Sequence, residues 1–488
     1  MMNEAQSPSS RVVVIGGGFA GLSAAYELTR LGHRPVVLEA GGELGGLAAS
    51  FRLPGADQPL ERFYHHWFTS DADALDLCRE LGLDDALQSR ASSTGTWCDG
   101  RVWRLSTPMD LLKFKPLSLL DRLRLGGLIL QARRVKDWRK LETRTAAAWL
   151  TDLAGPRVYR TVWEPLLRGK FGPYAEEISA VWFWNKLCLR GSSRGKGGRE
   201  TLVYPQGGFE RIVDALVAAI RSGGGEVRTN ATVTGLEVAD VARASRPRDC
   251  SIGLDVEERQ AGFATEDADK MSATRAGGTP APHLAPRLRI TGVRTAAGVV
   301  PAEYVIATPA LPLLADLIEP HDAHYAARCR NIEYLAALCL VLELRRPLSQ
   351  TYWMNVNDAD FPYVGIIEHT NFEPPSSYGR HIVYLSKYLP ADTPLYSMSD
   401  DDVLAHSLPH LQRLIPTFTR QDVQGHHVFR ARHAQPVVVR RYSELIPPPT
   451  CAIAGLHVAG MAQIYPEDRG TSYAIRQGRQ AARDVMRR

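Results

Sequence analysis

The chain has 488 residues, 44% of them hydrophobic, with 58 Lys and Arg against 53 Asp and Glu for a formal charge of +5. That length exceeds one ordinary core and predicts two domains, while so thin a basic excess argues against a nucleic-acid partner. No apolar run is long enough for a membrane-spanning helix, and the polar start MMNEAQSPSS predicts no secretion signal and a cytoplasmic location.

RVVVI, residues 11–15, is a β-branched run, and GGGFAGLSAAYELTRLG follows it at once with Gly16, Gly18 and Gly21. This order predicts strand, turn and helix, and each glycine has a task there. Gly16 makes the tight turn, Gly18 lets a pyrophosphate approach the backbone, and Gly21 lets the helix pack on the strand. PVVLEA then predicts a second strand ending in Glu39, eighteen residues past Gly21, where a carboxylate holds a ribose hydroxyl. The ordered set predicts a dinucleotide site. In EAGGELGGLAAS a further glycine pair, Gly45 and Gly46, follows the acid where a nicotinamide domain would continue its fold, which favours FAD.

With these residues the chain resembles the FAD-binding amine oxidase, protoporphyrinogen oxidase and phytoene desaturase superfamily, in which the glycine pair is commonly followed by arginine; Leu47 stands there in this chain. The resemblance implies an α/β fold. It consists of a discontinuous glutathione-reductase-type FAD-binding Rossmann domain over residues 1–70, 200–320 and 430–488, and an α+β substrate domain, with a mixed sheet and a helical part, over 71–199 and 321–429. It further implies that Val233, in the strand closing residues 204–238, meets the adenine through its backbone, and that AEYVIATPA, residues 302–310, is the strand returning to the cofactor. HVAGMAQIYPEDRGTSYAIRQG, residues 457–478, matches the C-terminal flavin segment. There a strand ends at Gly460, and a helix starts beneath the isoalloxazine ring with Gly470, Thr471, Ser472 and Tyr473 supplying N–H groups. Met461 replaces the family's usual ribityl-binding acid, so Asp468, Glu467 or backbone amides take that contact. No cysteine lies in 452–488, which predicts non-covalent FAD. Ala474, Gly478, Ala481 and Ala482 suit close packing, beneath a cofactor or in a tight core contact.

Between these motifs, ERFYHHWFTSDADALDLCRELGL places His65 and His66 either beside the flavin or in structural hydrogen bonds, and leads into a helix marked by Leu75, Cys78 and Leu81. A metal is not expected, because no carboxylate or cysteine sits at ligand spacing there and none of the chain's seven cysteines forms a Cys-x-x-Cys pair. Residues 108–141 carry leucines at helical spacing among lysines and arginines; burial against a core is the first reading and an anionic membrane surface the second. Residues 163–200 end in a basic glycine-rich loop with Lys186, Arg190, Arg194, Lys196 and Arg199, suited to closing over a phosphorylated substrate or simply solvated. Residues 239–287 lack periodicity and predict a flexible insertion.

From 332 to 388 the pattern turns to strands, predicting a sheet with one face over the flavin. Tyr352, Trp353, Tyr363, Asn371 and Tyr384 are the substrate-binding candidates. Glu368 and His369 are catalytic candidates that a strand would point to opposite faces. Lys387 resembles the lysine that amine oxidases place near the flavin, and His65 and His66 complete the catalytic set. The resemblance implies an FAD-dependent oxidoreductase that removes a hydride equivalent from an amine, alcohol or C–C unit of a small-molecule substrate, phosphorylated or lipidic. FYHHWFTSD and the basic, tyrosine-rich middle also resemble UDP-galactopyranose mutase, which implies a flavin-dependent isomerisation of a sugar nucleotide. GDP-dissociation inhibitors share the fold as flavin-free binding proteins, but their phosphate motif is degraded and this one is intact.

Overall fold

The computed structural model describes residues 11–105, 107–192, 200–241, 288–358 and 360–487. Its first strand, Val12–Ile15, lies at the centre of a five-stranded parallel sheet ordered Glu226–Arg228, Val36–Leu38, Val12–Ile15, Tyr304–Ala307, Leu456–Val458. Both faces of a parallel sheet are covered, which is why its inner strands Val12–Ile15 and Val36–Leu38 are runs of Val, Ile and Leu. Val12 and Val14 pack with Leu22, Leu28, Ile212 and Leu216 of two helices, Phe19–Arg30 and Gly208–Ser222. Val13 and Ile15 point the other way, toward Val305, Leu311 and Leu314. The C-terminal helix, Thr471–Met486, lies against Phe19–Arg30 so closely that a Cβ on Gly478 would come 2.0 Å from Ala20 O. The small-residue stripe of that helix is therefore a helix contact, with Ala481 and Ala482 buried beside it.

A four-stranded sheet flanks this unit, in which Val233–Asp240, Leu288–Thr295 and Gly298–Pro301 pair antiparallel and Ile453–Ala454 pairs parallel with Leu288–Thr295. The strand runs through Ala239 and Asp240, the first residues of the expected insertion, and residues 242–287 of that insertion lie outside the described residues.

The third sheet has seven strands ordered Val423–Pro436, Tyr334–Leu344, His381–Leu389, Gly365–Glu368, Trp353–Val356, Thr94–Cys98, Arg101–Arg104. It is mixed, because Trp353–Val356 pairs parallel with Thr94–Cys98 while its other ladders are antiparallel. Alternation sorts its side chains. Leu338, Leu340, Leu342, Val383 and Leu385 join Val403 and Leu411 of the helix Asp400–Leu414. Cys339, Val341, Ile382 and Tyr384 face the nucleotide-binding unit. A helical region closes the remaining side, where Leu125, Leu128 and Ala132 of the helix Leu119–Arg134 pack with Trp149, Leu150 and Phe183. Among the described residues no helix is long and apolar enough to cross a membrane.

Candidate functional site

The glycine turn forms a cradle free of side chains. A Cβ on Gly21 would lie 1.9 Å from Gly16 O, so only glycine lets the helix descend onto the strand. Gly18 has an extended backbone, φ −79° and ψ 179°, that any residue adopts. What a side chain would take there is space, since Gly46 Cα is 3.7 Å from the Cβ position. The helix starting at Phe19 has no side-chain cap, so its first-turn N–H groups are left for a ligand. Glu39, half-buried at its strand end, accepts from Gly17 N–H at 2.7 Å and Gly41 N–H at 2.8 Å. Ala231 N–H donates to Glu39 O at 2.8 Å and brings Val233 to this end of the sheet. A bare N–H cradle beside a half-exposed carboxylate fits the diphosphate and ribose of FAD.

A cavity of about 320 Å³ lies between the two units. Its wall combines the loop around Tyr64–Phe68, the helices Glu164–Phe171 and Ala180–Ser192, one face of the seven-stranded sheet, and the turn Asp468–Tyr473. That turn ends in the C-terminal helix, which has no side-chain cap at Gly470. Trp67 Nε1 donates to Thr471 Oγ1 at 2.6 Å, and Ala74 N–H donates to Ser472 Oγ at 3.3 Å, so the histidine loop and the helix start are fastened together.

Asp468 is buried and paired with Lys186 Nζ at 2.6 Å and Lys170 Nζ at 3.4 Å. Burial pushes its carboxyl up, but Lys170, Lys186 and Arg469 prevail and hold it well below the usual carboxylate range. Burial likewise pulls the Lys170 amine down to about 7, against the attraction of Asp468. Arg469 Nη2 donates to the Tyr388 hydroxyl at 2.6 Å and Nε to Gln435 Oε1 at 3.0 Å. The other carboxylates of the wall already have donors. Asp71 accepts from Phe68 N–H at 2.8 Å, and Glu200 from the hydroxyls of Ser92 at 3.4 Å and Thr94 at 3.2 Å. Two buried indole N–H groups of wall residues, Trp163 Nε1 and Trp182 Nε1, have no hydrogen-bond partner among the described residues. Trp163 ends a five-residue π turn, Tyr159–Trp163.

His65, His66, Tyr352, Trp353, Asp468, Gly470, Thr471, Ser472 and Tyr473 all line the cavity, as does Leu47. His65 Nδ1 donates to Phe63 O at 2.6 Å, and burial pulls its imidazole down to about 4. His66 Nδ1 shares a hydrogen bond of 3.0 Å with the Tyr352 hydroxyl.

Other candidates fall outside this wall. The strand ends at Glu368 and a 3₁₀ turn begins at His369, so the expected opposition of the two on a strand does not arise. Glu368 instead accepts from Leu348 N–H at 2.8 Å and Ser349 N–H at 2.7 Å, holding a turn, and burial pushes it up to about 7. His369 Nε2 bonds the Tyr378 hydroxyl at 2.8 Å in the core. Lys387 alternates with its neighbours Ser386 and Tyr388, which line the cavity, and so occupies the opposite face. Tyr363 is bonded to Ser407 Oγ at 2.6 Å, Tyr384 donates to Glu61 O at 2.9 Å, and Asn371 Nδ2 donates to Ser349 O at 3.0 Å.

Asp468 turns to the lysines and Glu467 to Arg476, at 2.8 Å, so neither carboxylate stands free for a ribityl chain. Gly460 N–H donates to Gln463 Oε1 at 2.8 Å across Met461. Of the basic loop, Lys186 reaches the cavity; Arg194, Lys196 and Arg199 lie outside the described residues, as does the side chain of Arg190. Lys170, Tyr388 and Trp182 carry no motif, and only the fold brings them to the wall beside Arg469 of the C-terminal segment.

A parallel dinucleotide sheet, a bare phosphate cradle and a cavity under a mixed sheet define a two-domain FAD-binding protein. Residues 19–258 and 287–486 match the family model of the flavin containing amine oxidoreductases, and the chain belongs to that family. The chain is 28% identical over 260 residues to the flavin-dependent L-tryptophan oxidase RebO of Lentzea aerocolonigenes, covering 47% of this chain and 52% of that protein. It is 27% identical over 258 residues to the 15-cis-phytoene desaturase of Arabidopsis thaliana, covering 47% and 43%. The chain thus spans about half the length of the curated relatives it matches. The structure of reduced UDP-galactopyranose mutase shares the fold with a TM-score of 0.69 at 15% identity, over 98% of this chain and 96% of that one.

Proposed function

We propose that the chain uses non-covalently bound FAD to oxidise a small organic substrate that is rich in hydrogen-bond acceptors and neutral or anionic, in preference to a protonated amine. The observation that carries this reading is the cluster of three cations, Lys170, Lys186 and Arg469, around the single carboxylate of Asp468 on the cavity wall. Those cations suit an acceptor-rich substrate, whereas each carboxylate of the wall among the described residues is already engaged and leaves an ammonium group without a free partner.

Bound FAD supplies the acceptor for a hydride equivalent. The glycine cradle and Glu39 hold its diphosphate and ribose. The uncapped helix start at Gly470 presents N–H groups and a positive dipole end that suit negative charge. Tyr64, Trp353 and Trp182 exclude water from the cavity. Lys170 takes the proton that the substrate hydroxyl loses as its carbon becomes a carbonyl.

Anaerobic mixing of the purified flavoprotein with hydroxy acids, phosphorylated alcohols and alkylamines tests the reading. Bleaching of the flavin absorbance by the oxygen-rich compounds is the expected result, and bleaching by amines alone overturns it. The same donors and the Arg469–Tyr388 pair also suit the phosphates of a sugar nucleotide. In that second reading the chain isomerises such a substrate with no net redox change, and turnover begins only after dithionite reduction.

A further inference from the structure

The helix Leu119–Arg134 has two apolar faces, and the fold covers one. Leu125, Leu128 and Ala132 point into the core. With about 100° between successive residues, the opposite line runs through Leu119, Leu123 and Leu130, which are 63%, 59% and 60% exposed. Leu120 stands beside them at 59%, and the preceding short helix Pro108–Lys113 adds Met109 at 57% and Leu112 at 45%. The two helices form one surface. Arg122 donates to Leu117 O at 2.9 Å and to Leu112 O at 2.5 Å, and Leu111 Cδ2 lies 3.5 Å from where a Cβ on Gly126 would be. Half of the exposed large apolar side chains among the described residues fall between Met109 and Leu130. Single exposed leucines are ordinary, but such a concentration marks an interaction surface.

Charge selects the partner. Residues 108–140 hold nine Lys and Arg against three Asp and Glu, a balance of +6 in a chain whose total is +5. One of those acids, Asp121, is buried and accepts from the Ser118 hydroxyl at 2.6 Å. Lys113, Lys115, Arg134 and Lys136 are exposed around the leucines. Leucines with a basic border match an anionic bilayer, whose acyl boundary takes the apolar side chains while its phosphates meet the cations.

We propose that this helical corner docks on an anionic lipid surface, with Leu119, Leu123 and Leu130 inserted and the surrounding lysines and arginines at the headgroups. The inner face of the same helix meets a wall of the cavity, since Trp184 Nε1, from the helix that supplies Trp182 and Lys186, donates to Ala132 O at 2.9 Å. The proposal stands apart from the reaction assigned above.

Co-sedimentation of the full-length flavoprotein with phosphatidylcholine vesicles, with and without phosphatidylglycerol, tests it. Binding to the anionic vesicles should exceed that to neutral ones by roughly tenfold and weaken in high salt. The triple variant Leu119→Ser, Leu123→Ser, Leu130→Ser should lose roughly tenfold of it with flavin content unchanged. The double variant Lys113→Glu, Lys115→Glu should lose binding to anionic vesicles alone, which keeps the test open should the leucine variant fold poorly. Equal binding by wild type and both variants, or no preference for anionic vesicles, overturns the proposal. So does a leucine variant that turns a wild-type dimer into a monomer while vesicles are ignored, because the surface then belongs to a second copy of the chain.

Discussion

Gly18 and Gly21 stand one turn apart and should fail in different ways. Gly18→Val leaves a backbone that valine tolerates but fills the space beside Gly46, so the expected product is folded protein that loses FAD on gel filtration. Gly21→Val drives a side chain into Gly16 O and should not fold. Normal flavin content in Gly18→Val would remove the cradle from the assignment. These glycines and Glu39 are legible in the sequence because turn, close approach and strand end are local requirements. Lys170 is not, because burial and an Asp468 that lies 298 positions away make it what it is. Its neutral form prevails above about 7, so kcat should rise with pH through that value. Lys170→Met should remove this limb and cost on the order of 100-fold in kcat. Asp468→Asn removes the charge that favours the lysine's proton and should move the limb to lower pH. An unchanged pH profile in both variants would take the proton from Lys170.

Strands announce their period but not their phase. HIVYLSKYL shows alternation, yet whether Lys387 or its neighbours Ser386 and Tyr388 face the cavity depends on which side the nucleotide-binding unit occupies. The leucine helix poses the same difficulty at period 3.6. Apolar residues on two opposite faces blur into one basic, leucine-rich stretch, so the core and surface readings compete in sequence although each describes one side.

The short strand Leu60–Glu61 supports a prediction about stability. Glu61 is fully buried and accepts from Phe209 N–H at 2.8 Å and the Tyr204 hydroxyl at 2.9 Å, yet burial pushes its carboxyl from 4.5 up to about 7. The fold therefore favours the protonated form. The stabilisation is complete below about 4.5 and is lost as pH rises through about 7, by an amount of up to ~3 kcal/mol. Glu61→Gln should flatten that decline in urea melts across this range. A decline as steep as wild type would assign it to other groups.

At the scale of the molecule, the sequence motifs run from the first strand to the last helix, and the resemblance they carry already implies an interleaved nucleotide-binding unit. The cavity was legible only in part. His65, His66, Tyr352, Trp353, Lys186 and the turn before the C-terminal helix could be named, while the aromatic wall from Trp163 to Phe183, with Lys170, comes from a helical region whose residues match no motif. The interleaving has a consequence for synthesis. The seven-stranded sheet has its last strand once residue 436 has been made, but the parallel sheet still lacks Leu456–Val458 and the helix that packs through Gly478 onto Ala20. The glycine turn leaves the ribosome long before the strand Leu456–Val458 and the helix Thr471–Met486 that complete its surroundings. During translation the substrate-side sheet can close first, and the cavity gains its last wall only when the turn Asp468–Tyr473 arrives.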